Sequence, residues 1–140
     1  KHFRYMRIKI NVLVLAVVVL AACGKELSFE GSDTPAEGSM QSSLTGDCLP
    51  KTVTGSYQVA VPLVADSNTI TVDVNVINTG IYEITTDTVN GYFFNSTGRF
   101  TSPGTATVKL RSNGTPFASG VNNFRISFDS TFCDVQVTVQ

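Results

Sequence analysis

Tryptophan is absent from the 140 residues, and the one histidine, His2, stands ahead of the apolar run that begins at Ile10. Everything downstream therefore lacks an imidazole, which excludes histidine acid–base catalysis and histidine metal ligation. Cysteine is scarce as well: Cys23, Cys48 and Cys133 match no zinc or redox spacing, and no basic residue adjoins Cys48 or Cys133 to activate a thiol. Charged residues make up only 15% of the chain. After Cys48 the only glutamate is Glu83, a poor basis for a glutamate pair acting on glycosidic bonds. No stretch carries helical periodicity, so a helical fold is excluded too.

What is present begins with a leader. Met6-Arg7-Ile8-Lys9 is basic, and Ile10 to Ala22 is apolar apart from Asn11, with small residues before Cys23. This is the layout of a secretory signal, with Met6 as the expected start. As a helix the apolar run spans roughly 20 Å, short of the ~30 Å hydrocarbon core of a bilayer. Leu20-Ala21-Ala22-Cys23-Gly24 resembles the bacterial lipobox, which implies acylation of Cys23 and removal of residues 1–22. An ordinary signal with a chance cysteine is the competing reading. Each buried CH2 of an acyl chain adds about 0.8 kcal/mol, so the two or three chains of a lipobox cysteine give lasting membrane attachment. Gly24 is not the aspartate that retains many such proteins at an inner membrane. Lys25-Glu26 partly resembles the basic-then-acidic export signal of Bacteroidetes lipoproteins, which implies the outer membrane and its cell-surface face.

After Cys23, six Lys and Arg face eleven Asp and Glu, a net charge of −5 that argues against nucleic acid as a partner. With Cys23 assigned to lipid, Cys48 and Cys133 are left at the two ends of the remaining chain, and in an oxidising compartment a disulfide between them is the economical reading. Residues 24–47 are rich in Gly, Ser, Glu and Asp without periodicity, and read as a flexible tether with an end-to-end distance of roughly 25 to 30 Å. The partition is thus 1–22 signal, 23–47 lipidated cysteine and tether, 48–140 folded domain.

From Lys51 onward apolar and polar residues alternate with the period of half-buried strands. Ile70, Val72, Val74 and Val76 form the clearest run; Ala106, Val108, Leu110, then Phe124, Ile126, Phe128, then Cys133, Val135, Val137, Val139 repeat it. Tyr82, Ile84 and Thr86 predict a further strand, Tyr57, Val59 and Val61 the first one, and short pieces are expected at Tyr92–Phe94 and near Phe100. Asn78-Thr79-Gly80, Asn90-Gly91, Ser102-Pro103-Gly104 and Asn113-Gly114-Thr115-Pro116 supply the reversals. Seven or eight short strands at this spacing predict an all-β, antiparallel two-sheet sandwich, with a small barrel as the alternative.

Together, Gly80-Ile81-Tyr82, Asn90-Gly91-Tyr92-Phe93-Phe94, Gly98-Arg99-Phe100, Val108-Lys109-Leu110, Gly114-Thr115-Pro116, Gly120 with Phe124, and Cys133 with Val135, Val137 and Val139 resemble the immunoglobulin-like modules of Bacteroidetes surface lipoproteins. The resemblance covers Cys48 to Gln140 and implies a module rather than an activity, with no catalytic residue and no cofactor to carry across. Neighbouring aromatics on a strand point to opposite faces, so Tyr92, Phe93, Phe94 and Phe100 cannot all enter one core: an exposed one would be a candidate glycan contact, while coverage of both faces or a bulge is the favoured reading. Phe117 poses the same question. Asp66, Asp73, Asp87, Asp129 and Asp134 lack the spacing of a calcium loop, and no metal is expected. The expected role is non-enzymatic: adhesion, spacing or complex assembly with an unidentified protein. Glycan capture for an uptake system and a fimbrial subunit are the alternatives.

Overall fold

The computed structural model describes Thr34 to Gln140. The leader, Cys23 and the tether up to Asp33 lie outside the described residues. Eight strands follow in chain order: β1 (Glu37–Met40), β2 (Lys51–Thr54), β3 (Thr69–Asn78), β4 (Gly80–Thr86), β5 (Tyr92–Phe100), β6 (Gly104–Gly114), β7 (Gly120–Phe128) and β8 (Thr131–Val139). All pair antiparallel in the spatial order β1, β3, β6, β5, β4, β7, β8, with β2 also on β3. The fold is all-β and antiparallel, with no helix among the described residues.

Alternation explains the strands that the sequence marks. Ile70, Val72, Val74 and Val76 of β3 face inward beside Val108 and Leu110 of β6, and Phe124, Ile126 and Phe128 of β7 beside Cys133, Val135, Val137 and Val139 of β8. Removing such surface from water contributes about 25 cal/mol per Å², and these side chains supply most of the core. The two short pieces expected at Tyr92–Phe94 and near Phe100 are one nine-residue strand. It pairs through Tyr92–Asn95 with β6 and through Asn95–Phe100 with β4. Its inward positions, Tyr92, Phe94 and Phe100, therefore line both halves of the interior. Ahead of it, Asn90 (φ 52°) and Gly91 (φ 82°) make the left-handed pair of a tight turn closed by Val89 and Tyr92.

The start of the domain departs from expectation. Residues 34–47 are built into the fold rather than forming a tether: the Ala36 amide donates to the Ile81 carbonyl, Ile81 returns a bond to Thr34, and β1 pairs with β3. The segment crosses directly over Gly80, where a β-carbon would collide with the Thr34 carbonyl. Tyr57, Val59 and Val61 form no strand. Ala60 sits at φ 61° and Pro62 has no donor, so this stretch crosses one end of the sheet as a loop in which Tyr57 alone is buried. The first strands are instead β1 and β2, which hold their places through backbone pairing; all four side chains of β2 are exposed.

The sheet curls far enough for β1 to contact β7 and β8, close to a barrel. Backbone bonds cross the seam at two levels. Asp134 donates to the Gly46 carbonyl (2.8 Å) and accepts from Cys48 (3.1 Å), while Gln140 donates to Tyr57 (2.9 Å) and accepts from Val59 (3.0 Å).

Phe94 is wholly buried and its ring meets Phe124 edge-on at 5.2 Å, whereas Phe93 on the same strand is only half-buried. In a urea titration, Phe94→Ala is expected to cost about 3–5 kcal/mol and Phe93→Ala under about 1.5 kcal/mol.

Candidate functional site

Cys48 and Cys133 are both fully buried and joined by a disulfide, with α-carbons 4.9 Å apart and a separation of 85 positions in sequence. Cys133 points inward because it shares the parity of Val135 and Val137 on β8. Cys48 reaches it at the end of a tight excursion: the Ser43 amide donates to the Asp47 carbonyl (2.8 Å), and the Asp47 amide donates to Ser43 Oγ (3.1 Å). Lys51 Nζ donates to Asp47 Oδ1 at 2.6 Å and Thr45 Oγ1 to Oδ2 at 2.9 Å. Those bonds, with the Lys51 charge, hold the Asp47 carboxyl below its ordinary range.

The aromatic group proposed from sequence as a glycan platform is mostly interior. Tyr92 and Phe94 are fully buried, Phe100 is 8% exposed, and only Phe93 reaches solvent, half-covered on the outer face of β5. The reason is the alternation itself: Tyr92, Phe94 and Phe100 share one parity and pack on Phe124 and Phe128. Tyr82 stacks on Phe100 at 4.1 Å. Tyr57 and Tyr92 place their rings 6.1 Å apart. Burial pushes the Tyr92 phenol up to about 12 and the Tyr57 phenol higher still.

A shallow polar cleft of about 440 Å³ lies over the outer face of β7 and β8, lined by Asp47, Asp87, Asn123, Arg125, Asp134 and Gln136. Its charges are internally engaged. Arg125 Nε donates to Asp134 Oδ1 at 3.2 Å, the guanidinium sits 4.3 Å from the centre of the Phe132 ring, and the Arg125 amide donates to Asp87 Oδ1 at 2.9 Å. The other aspartates are dispersed: Asp66 pairs with Arg111 at 2.7 Å, Asp73 accepts from Thr107, and Asp129 accepts from the Gly38 amide. Among the described residues no three His, Cys, Asp or Glu side chains come together as a metal site.

The end of the fold away from Thr34 exposes several apolar side chains. Phe117 is 75% exposed, with Val59 and Val61 also exposed. The loops bearing them are tied together: Ala60 donates to the Pro116 carbonyl (2.9 Å) and Leu63 to the Gly114 carbonyl (3.0 Å). Asn90 Oδ1 accepts from the Phe117 and Ala118 amides, and Asn90 Nδ2 donates to the Ala118 carbonyl at 2.7 Å. The Phe117 ring lies against Gly91, where a β-carbon would stand 2.5 Å from it. Of these features the sequence flagged only Phe117; the clamp by Asn90 joins residues 27 and 28 positions apart and has no local signature.

No protein-family model, curated protein or solved structure matches this chain.

Replacing both Cys48 and Cys133 by Ala is expected to lower unfolding stability by about 2–5 kcal/mol, read from the urea midpoint. An unfolded tyrosine ionises near pH 10, and Tyr92 keeps its proton to about 12 when folded. Full stability should therefore hold below pH 10 and fall as the pH rises toward 12, with a shallower fall in Tyr92→Phe; equal slopes in the two proteins would contradict the assignment.

Proposed function

We propose that this chain is a lipid-anchored surface module of a bacterial outer membrane, an immunoglobulin-like sandwich that serves adhesion, spacing or complex assembly without catalysis. The observation that carries the reading is the buried Cys48–Cys133 disulfide, since such links form and persist outside the reducing cytosol. It agrees with Leu20-Ala21-Ala22-Cys23-Gly24, read from the sequence as an export and acylation signal.

Strand order is compatible with the sandwich: β5 pairs with β6 through its first half and with β4 through its second, so β1, β2, β3 and β6 would form one layer and β4, β7 and β8 the other. Thr34 enters beside the β3–β4 turn, at the end opposite the loops of Val59 and Phe117. The glycan alternative retains Phe93 as its accessible aromatic, because Tyr92, Phe94 and Phe100 are enclosed.

Metabolic labelling of the host with an alkyne-palmitate, followed by protease treatment of intact cells, tests the reading. The native chain should take label and be cleaved from outside, and Cys23→Ser should lose the label. An unlabelled native chain recovered in the cytosol would overturn it.

A further inference from the structure

We infer that the polar cleft over the outer face of β7 and β8 is a binding site for a neutral sugar ring. It lies on different strands from Phe93, the aromatic kept by the glycan alternative above, and it does not depend on how the chain is anchored.

The cleft has a fixed frame. Its floor is two cross-strand pairs, Arg125 with Asp134 and Asn123 with Gln136, which point outward because Phe124, Ile126, Val135 and Val137 take the core side. One wall is the Asp87 turn, tied to β7: the Asp87 amide donates to the Arg125 carbonyl (3.3 Å), and the Arg125 amide donates to Asp87 Oδ1 (2.9 Å). The other is the turn of Thr45 and Asp47, tied to β8 by the Asp134 amide, which donates to the Gly46 carbonyl (2.8 Å). Walls held by backbone bonds lose little freedom when a ligand enters.

Which groups are already engaged decides what the cleft can hold. Arg125 pairs with Asp134 and lies on Phe132, and Asp47 accepts from Lys51 and Thr45. The side-chain amides of Asn123 and Gln136 bond to no group among the described residues, nor do the second oxygens of Asp87 and Asp134. Each amide offers an acceptor and two donor hydrogens, and each free carboxylate oxygen accepts. Neighbouring donors and acceptors of this kind match the adjacent hydroxyls of a sugar, each of which donates and accepts at once. Three carboxylates against one guanidinium in the lining disfavour an anion, and no metal-binding group of side chains converges there among the described residues. An extended peptide is recognised through free ladder groups, and β7 and β8 spend theirs on each other across this floor. A second observation lies beside the cleft: Phe132, two residues before Asp134 on the same outer face, is 53% exposed even with the Arg125 guanidinium 4.3 Å from its ring centre. The negative face of such a ring attracts the weakly positive C–H bonds of a sugar. The cleft's volume of about 440 Å³ lies within the ~300–1,000 Å³ of small-molecule sites.

The full chain, purified from its host in detergent, would be titrated with polyacrylamide conjugates of glucose, galactose, mannose and N-acetylglucosamine, and with polylysine as a cationic control. At least one sugar conjugate is expected to bind. Asn123→Ala together with Gln136→Ala, and separately Phe132→Ala, should each weaken that binding at least tenfold, while Phe93→Ala leaves it within twofold. All three altered positions are exposed, so the fold is expected to persist, checked by the urea midpoint and by the Cys48–Cys133 link as a non-reducing gel shift. Four results would overturn the inference: no sugar conjugate bound, polylysine alone bound, sugar binding that falls less than tenfold in either cleft variant, or sugar binding lost with Phe93→Ala. Since palmitate labelling is read separately, a labelled chain that binds no sugar defeats this site and leaves the anchor reading intact.

Discussion

A curled sheet has two outer edges, and their unpaired backbone groups must be satisfied before the faces between them can pack. Here the closure is made by short segments that leave the β1–β2 side, reach β8 and return. Gly46 and Cys48 bond to Asp134 at one level, and Tyr57 and Val59 bond to Gln140 at the other. Between residues 48 and 133 the closure is covalent. Bonds of this kind give about 1 kcal/mol net each, whereas the cross-link restricts the unfolded chain over its whole loop. Ile70, Val72 and Val74 share one core cluster with Phe124, Ile126, Val135 and Val137, which the closed seam shields.

The same closure organises the surface. The excursion that delivers Cys48 to β8 places Asp47 over the outer face of β8, where with Asp87, Arg125 and Asp134 it forms a self-satisfied polar cleft. The loop that delivers Tyr57 leaves Val59 and Val61 outside, next to the Pro116–Phe117 turn. Asp73, Lys109, Arg111, Arg125 and Asp134 lie on strands, whereas Asp47, Asp66, Asp87 and Asp129 lie in the connections, Asp66 in the same loop as Val59 and Val61.

Legibility followed the energetic origin of each element. Strands β3, β6, β7 and β8 are stabilised by burying alternate apolar residues, and their alternation is visible in the chain. β2 buries no side chain, with Lys51, Thr52, Val53 and Thr54 all exposed, so no periodicity betrays it. Tyr57, Val59 and Val61 show the opposite failure, for an alternating pattern sits on a backbone that Ala60 and Pro62 turn out of the ladder. Which of the adjacent aromatics is covered was open for a related reason. Parity assigns Phe93 one face and Tyr92 and Phe94 the other, and only the packed partners Phe124 and Phe128 reveal which face is interior.

From the residues alone came the all-β class, the main strands and turns, the inward direction of Cys133 and its partner Cys48, because each rests on short-range periodicity or on the count of available thiols. Tertiary structure alone decided that residues 34–47 join the domain, that β5 serves two neighbours, and that Phe117 rather than Phe94 or Phe100 faces solvent. Those outcomes depend on which distant segment supplies a backbone partner or covers a ring. Such choices are settled by the curvature of the whole sheet, a property that no local stretch of sequence carries.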